Sequence, residues 1–382
     1  MCAFASEHVN DGPTPTANEN WLHRLSSEHY MLVKNIIYKI NHWETWDWRL
    51  KYVPILPVWI WNCIRAKSWW FFSPSNPKLT FGGFEGVSKM SIYQHLPPGT
   101  YPPSTGIKAN LTFPEMQKLV EDRYAYPFVV KPDVGRMGYM FRIVRNASEL
   151  KAYHEIMPVD YLVQELVLHP LEVSVFYYRF PDQKSGTITG FVRKEFLEIT
   201  GDGHSTVDEL MAASPHTCFR LEELRAKHLD KLHLVLQKDE IFCLSYALNL
   251  SRGCSLISLE DEIDENLVKV FDELSSYSDT LFYGRYDIKC ASIADLKQGK
   301  NFSIIEYNGC GAEPHHVYGN GNTLFKACRI LAQHWLILAE ISRYNYSKGV
   351  RYISFRQGWE TMRSCRKYFA KLRKLDAAFP EF

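Results

Sequence analysis

Two short segments, Gly-Arg-Tyr-Asp-Ile-Lys at residues 284–289 and Ile-Ile-Glu-Tyr-Asn-Gly-Cys-Gly at residues 304–311, most constrain the fold of this 382-residue chain. Both are predicted to be β-strands, in which side chains alternate between two faces, so Glu306 and Asn308 share a face. Asp287 from the first strand is expected to join them. Carboxylate and amide oxygens suit Mg²⁺, which keeps waters and nucleotide phosphate oxygens as further ligands. The alternative is a hairpin with one solvated face.

A glycine-containing loop lies between two apolar strands within residues 126–144. The first strand ends at Lys131, and Gly135 and Gly138 follow in the loop. Glycines let backbone N–H groups turn toward a phosphate, and a lysine places positive charge beside it. The Gly-Lys-Ser/Thr sequence of a Walker loop is absent, and many hairpins contain Gly-x-x-Gly. The segment is therefore either a phosphate loop of another kind or a plain hairpin.

Residues 161–177 are predicted to form two strands joined by a short linker. A nucleotide base could lie against Leu166 and Val167, and Glu172 could accept hydrogen bonds from ribose hydroxyls. Lys194 lies on a later predicted strand. The alternative for each segment is an antiparallel strand with polar edges.

The order of these motifs resembles the ATP-grasp superfamily of carboxylate–amine ligases, over roughly residues 86–321. The similarity to D-alanine–D-alanine ligase rests on the seven-residue spacing from Glu165 to Glu172 and on the set Arg285, Asp287, Glu306 and Asn308. Residues 199–210 and 249–258 look more like cyanophycin synthetase.

The resemblance implies an α+β, ATP-grasp fold in which two α+β subdomains hold ATP. The residues that would contact ATP are Lys89, Lys131, Gly135, Gly138, Glu165, Leu166, Val167, Glu172 and Lys194. The residues that would bind Mg²⁺, or Mn²⁺ as its substitute, are Asp287, Glu306 and Asn308. Arg285 would face the transferring phosphoryl group. The loop departs from the family pattern, because Asp133, Arg136 and Met137 replace the usual small residues.

The implied reaction is ATP-dependent ligation. A carboxylate is phosphorylated by ATP to an acyl phosphate, ADP leaves, and an amine then displaces phosphate to form an amide bond. Catalysis would rest on positioning and electrostatics, with Arg285 and Lys194 as catalytic cations. The alternative is a kinase, or an ATP-binding module without ligation, on the same scaffold.

Substrate contacts are expected from the loop that follows the second strand. Glu313 and His315 would border the substrate pocket, and His316 could accept a proton from the attacking amine, since the pKa of histidine lies near ~6.5. The alternative is a proline-bent loop whose histidines bond to the backbone. Arg252 is either a clamp for the substrate carboxylate or an ordinary surface arginine.

The remaining chain is predicted to add a region at each end of the ligase domain. The predicted organisation is a disordered lead at 1–20, an aromatic-rich region at 21–85, an ATP-grasp domain at 86–321 with lobes meeting at about 160/161, and a basic helical tail at 322–382. The lead has no signal-peptide pattern.

Charge and cysteine content limit the partners and the compartment. The formal net charge of +1 gives no nucleic-acid signature. Nine scattered cysteines indicate a reducing, cytoplasmic compartment and no zinc site. The aromatic N-terminal region and the basic tail predict peripheral contact with an anionic membrane, at its inner face. The alternative is a soluble enzyme, as a homodimer, acting on a small-molecule carboxylate and amine.

Overall fold

The computed structural model describes residues 43, 46, 48–214, 217, 221–245, 254–318 and 322–379. The chain forms two compact units, Met1–Pro54 and Ile55–Phe382. In the first unit, helix α1 spans Trp48–Tyr52. The predicted lead at residues 1–20 and the predicted substrate residue Arg252 lie outside the described residues.

The first sheet of the larger unit has four antiparallel strands in the order β1-β4-β2-β3. They are β1 (Ser104–Ile107), β2 (Phe128–Pro132), β3 (Arg142–Val144) and β4 (Tyr161–Glu165). The helices that precede and accompany this sheet are α2 (Leu56–Ala66), α3 (Lys89–Tyr93), α4 (Phe113–Glu121) and α5 (Ala147–Ile156). Asn146 caps α5, because its side chain accepts a hydrogen bond from the backbone N–H of Glu149 at 3.0 Å.

The second sheet has five antiparallel strands in the order β11-β10-β5-β6-β9. Its strands are β5 (Leu171–Tyr178), β6 (Thr187–Glu195), β9 (Ser255–Ser258), β10 (Tyr283–Cys290) and β11 (Phe302–Asn308). Helix α8 (Glu265–Ser276) buries Leu267 and Phe271 against Tyr286 and Ile288 on one face of this sheet. The opposite face is therefore the one on which polar side chains can collect.

A smaller two-stranded sheet pairs β7 (Leu197–Thr200) with β8 (Ile241–Ser245). Helices α6 (Val207–Ala213) and α7 (Leu221–Lys227) cover it, and Val207, Met211 and Leu224 form its separate small core. A short helix, α9 (Ile293–Lys297), connects β10 to β11.

Two 24-residue helices complete the described chain, α10 (Leu324–Ser347) and α11 (Phe355–Ala378). Trp59 of α2 packs edge-on against Trp335 of α10, with ring centroids 5.0 Å apart. Helix α11 lies against the first sheet, where it contributes Phe369 and Leu372 to the core. The mixed α+β class with flanking helical regions is thus confirmed. None of the described helices is both long and apolar enough to cross a membrane.

Candidate active site

The two strands singled out from the sequence are neighbours in the second sheet. In the antiparallel pair β10–β11, Asp287 lies opposite Glu306 and Arg285 lies opposite Asn308. The register shifts immediately after Asp287, where the next pair is Ile288 with Ile304. The predicted convergence of these four side chains agrees with this register.

A β-bulge at Ile305 decides which face Glu306 occupies. Ile304 and Tyr307 both belong to the apolar core under the sheet, although they are three residues apart. Strict alternation would have placed Glu306 beside Ile304; the extra residue turns Glu306 and Asn308 to the opposite face.

Asp287 is the centre of the polar cluster on that face and is only 2% exposed. Arg285 donates to both of its carboxylate oxygens, at 3.1 and 3.0 Å, and Asn308 donates at 3.1 Å. Ser174 also donates to Asp287, and the Lys194 ammonium lies 3.2 Å away. Burial would raise the pKa of Asp287, but the charges of Arg285 and Lys194 outweigh burial and hold that pKa well below its ordinary value.

Lys194 links Asp287 to Glu172. The two residues Lys194 and Glu172 are opposite each other on β6 and β5, and their side chains are 3.0 Å apart. Burial lowers the pKa of Lys194, yet Asp287 and Glu172 together raise it above its ordinary value. The pKa of Glu172 is itself raised by burial. In this structure Glu172, the predicted ribose ligand, is a partner of a lysine.

A second group of cations approaches Glu306 from the first lobe. Lys131 at the end of β2 is 9% exposed and donates to the Ile305 carbonyl at 3.2 Å. Lys89 at the start of α3 lies 3.4 Å from Glu306 and donates to the Gly135 carbonyl at 3.1 Å. Burial would raise the pKa of Glu306, but Lys89 and the other cations lower it overall. Burial lowers the pKa of Lys131 to about 8.

The predicted phosphate loop is held by contacts that its unusual residues make. Arg136 pairs with Glu85 at 2.8 Å, and its guanidinium lies 5.0 Å from the ring centroid of Phe369 in α11. Gly138 has φ of 69°, a conformation that glycine adopts without strain. The departure from small residues in this loop therefore has a structural consequence, since Arg136 connects the loop to α11.

The predicted base-binding linker lies between β4 and β5. Glu165 is exposed at the end of β4, and Leu166 and Val167 are half-buried. The Val167 carbonyl accepts a hydrogen bond from Lys289 at 3.3 Å. The linker is thus tied through Lys289 to the strand that carries Asp287.

The two adjacent histidines point to different surroundings. His315 is buried, and its Nδ1 lies 3.3 Å from the hydroxyl of Ser174, which donates to Asp287. His316 instead faces His334, with ring centroids 5.5 Å apart. Burial lowers the pKa of His315 well below its ordinary value and that of His316 to about 4. The structure therefore brings His315, and not His316, to the Asp287 cluster.

Glu313 contributes its backbone to the site. Its carbonyl accepts from Arg285 at 2.9 Å, while its carboxylate accepts from Tyr318. Sequence reasoning missed Ser174, which lies between His315 and Asp287. The sequence signal for Ser174 was weak, because it is a single small polar residue between two valines of β5.

The predicted metal ligands combine two carboxylates and one amide. Within the described ranges, no group of three or more His, Cys, Asp or Glu side chains could hold a metal ion. Asp287, Glu306 and Asn308 have hard oxygen donors, and the negative charge of Asp287 opposes the lowering of the pKa of Glu306 by the nearby cations. Repulsion between two facing carboxylates is what a divalent cation between them would relieve, so the residues fit Mg²⁺.

The order of motifs along this fold resembles that of the ATP-grasp carboxylate–amine ligases, and sequence matches to curated proteins confirm this resemblance. No family model matches the sequence. The bifunctional glutathione biosynthesis protein GshAB of Enterococcus faecalis is 26% identical over 223 residues, which cover 53% of this chain and 29% of that protein. Cyanophycin synthetase of Synechocystis sp. is 23% identical over 229 residues, 54% of this chain and 25% of that protein. The chain thus matches less than a third of each relative's length.

Solved structures of ligases also show similarity to this chain. A bifunctional glutathione synthetase from Pasteurella multocida matches with a TM-score of 0.41 and 15% identity, over 66% of this chain and 35% of that one. A D-alanine–D-alanine ligase from Bacillus anthracis matches with a TM-score of 0.38 and 14% identity, over 69% of each chain.

Proposed function

We propose that this chain is an ATP-dependent carboxylate–amine ligase, which activates a carboxylate as an acyl phosphate and joins it to an amine with release of ADP and phosphate. One observation carries the proposal. Four cations from the two lobes meet at the facing carboxylates of Asp287 and Glu306. The cations are Lys89, Lys131, Lys194 and Arg285. Such a group suits a triphosphate together with a divalent cation.

The cations have distinct positions toward a triphosphate. Lys89 lies at the glycine loop through its contact with Gly135, so it would reach the same phosphates as that loop. Lys131 is bonded to a neutral carbonyl instead of a carboxylate, so its charge is available to an anion. Lys194 is held between Glu172 and Asp287, which fixes its position before a phosphoryl group arrives.

Asp287, Glu306 and Asn308 would hold Mg²⁺, with Mn²⁺ as a substitute. When bound, the ion would neutralise charge on the phosphate oxygens during transfer. Arg285 stays oriented by Asp287 and by the Glu313 carbonyl, so its planar fork needs no rearrangement to face phosphoryl oxygens.

The chemistry has two steps. A carboxylate oxygen attacks the γ-phosphorus of ATP, the bond to the β-phosphate oxygen breaks, and ADP leaves. The amine nitrogen then attacks the acyl carbon, phosphate leaves, and the nitrogen gives up a proton. We propose His315 as the acceptor, in place of the sequence candidate His316, because it is neutral at pH 7 and lies beside the cluster through Ser174. Arg285 and Lys194 would stabilise the developing negative charge.

The test measures release of ADP and of phosphate from Mg·ATP with a panel of carboxylates and amines. We expect ADP release to require both an acid and an amine, and to fall about 10²–10³-fold in Glu306→Gln. Glu198→Gln, the same change at an exposed position of β7, is the matched control and should retain full activity.

Other outcomes separate the alternatives. ADP release with a carboxylate or another acceptor but no amine would indicate a kinase. ATP binding without turnover would indicate a binding module, and absence of ATP binding would refute the assignment. A cytoplasmic location and a homodimeric state stay predictions from the sequence.

A further inference from the structure

A cavity whose lining shares no residue with the Asp287 cluster lies where the end of α2, the end of α10 and the start of α11 meet. Its volume is about 790 Å³, within the range of small-molecule sites. Four cationic side chains line it: Arg65, Lys67, Arg343 and Arg351. Its aromatic lining consists of Trp69, Tyr346, Tyr352 and Phe355. None of these residues belongs to the proposed ligase site.

The cavity has an excess of positive charge. Glu340 pairs with Arg65 at 3.1 Å and with Arg343 at 3.2 Å. Across the described part of the chain, Glu340 is the one carboxylate within ion-pair distance of these four cations. Arg351 lies instead 5.8 Å from the ring centroid of Tyr346. A cavity with four cations and one carboxylate is suited to a multiply charged anion such as a phosphate group.

Large apolar side chains are exposed at the edge of this cavity, at Trp69 and Phe355, and along the helices α2 and α11 that border it. Helix α2 packs the half-buried side chains of Trp59, Cys63 and Ala66 against the protein core, yet its other side also carries apolar residues. Trp61 and Ile64 on that side are 55% and 64% exposed. We use the name basic–aromatic face for the four cations together with the exposed residues Leu56, Ile60, Trp61, Ile64, Trp69, Phe355 and Trp359.

We propose that the basic–aromatic face docks on an anionic membrane, with the phosphate of a lipid headgroup in the cavity and the apolar side chains in the interfacial layer. Tryptophan and aliphatic side chains beside Lys and Arg are the composition of interfacial segments. A free phosphate ion would explain the cations but not the exposed apolar side chains. A second copy of the chain would bring the same excess of positive charge to the contact and be repelled.

The first experiment tests the cations by co-sedimentation with vesicles of phosphatidylcholine, with and without phosphatidylglycerol. Each cation near an anionic surface changes partitioning about fivefold, so Lys67→Gln with Arg351→Gln should weaken binding to anionic vesicles about 30-fold. The matched control is Lys118→Gln with Lys300→Gln, which removes two exposed cations elsewhere and should bind as wild type does.

The second experiment tests the apolar residues. Trp61→Ser with Ile64→Ser should weaken vesicle binding by more than about tenfold, because both side chains lose their insertion into the interface. Leu229→Ser with Ile241→Ser is the control, since these side chains are 73% and 64% exposed in another part of the chain. Thermal unfolding midpoints close to wild type establish that each variant is folded.

Three results would overturn the proposal. The first is that cavity variants and control variants bind anionic vesicles equally. The second is that the chain binds inorganic phosphate, loses this in Lys67→Gln with Arg351→Gln, and ignores vesicles, which would identify a soluble anion site. The third is that Trp61→Ser with Ile64→Ser converts a dimer to a monomer in sedimentation velocity without changing vesicle binding, which would identify a self-interface.

Discussion

Lys131 links the proposed ATP site to pH. Its ammonium group is buried and bonded to the Ile305 carbonyl at 3.2 Å. Burial lowers its pKa to about 8, although Glu306 and Glu172 oppose this shift. About nine-tenths of the side chain is therefore protonated at pH 7 and about one-tenth at pH 9. If the protonated lysine is the form that binds the triphosphate, ATP affinity must fall as pH rises through 8.

The expected magnitude follows from these fractions. The dissociation constant of ATP should rise about tenfold between pH 7 and pH 9, equivalent to about 1.4 kcal/mol. The free energy of unfolding changes with pH in the direction opposite to ATP affinity. The unfolded chain holds the Lys131 proton up to about pH 10.4, so it binds more protons than the folded chain above pH 8 and the free energy of unfolding rises with pH there. Weaker ATP binding above pH 8 would therefore not result from a loss of folding stability caused by the titration of Lys131.

The assay is equilibrium dialysis with labelled ATP at several pH values. Lys131→Gln should bind ATP weakly and with no such pH dependence, because the titrating group is gone. Lys300→Gln, at an exposed position, should keep the wild-type profile. The reasoning is refuted if wild-type affinity is constant from pH 7 to pH 9, or if Lys131→Gln keeps the wild-type slope.

Three further predictions concern stability, each measured by urea denaturation. Gly190→Ala should destabilise the fold by about 1–3 kcal/mol or more, because the added Cβ would lie 1.9 Å from Nδ1 of His316; an unchanged midpoint would contradict this contact. Arg142→Ala should cost about 3–5 kcal/mol, since Arg142 is 4% exposed and pairs with Asp376 at 2.9 Å; a loss below 1 kcal/mol would show that the pair is dispensable. Burial lowers the pKa of His334 to about 3. Its imidazole therefore stays neutral in the folded chain down to about pH 3, whereas in the unfolded chain it is protonated below about pH 6.5. Between about pH 6.5 and pH 3, His334 alone should lower the free energy of unfolding by about 1.4 kcal/mol per pH unit on acidification, and His334→Phe should reduce the slope of the wild type by that amount; an unchanged slope would contradict the burial of His334.

The parts of the site that depend on neighbouring residues could be predicted from the sequence. Strand alternation placed Glu306 with Asn308, and their pairing with Asp287 and Arg285 follows from two adjacent antiparallel strands. The bulge at Ile305 could not be predicted, because it depends on how β11 pairs with β10. That bulge sets which face of the sheet carries Glu306 and Asn308.

The choice between the two histidines also lay beyond the sequence. His315 and His316 are consecutive, and both suit proton transfer by residue type. Only the packing decides, since the missing Cβ of Gly190 leaves room for His316 on β6 while His315 turns toward Ser174. Contacts of this kind join residues more than 100 positions apart, and no local pattern records them.

The position of α11 also bears on how the protein is made. Phe369 and Leu372 complete the core beneath the first sheet, and Asp376 accepts a hydrogen bond from the backbone of Met140, 236 residues earlier. A ribosome adding about 5–20 residues per second would need about 10–50 s between these two points. Throughout that interval the nascent first lobe lacks part of its core and exposes apolar surface. Its strands would then depend on chaperones until α11 emerges.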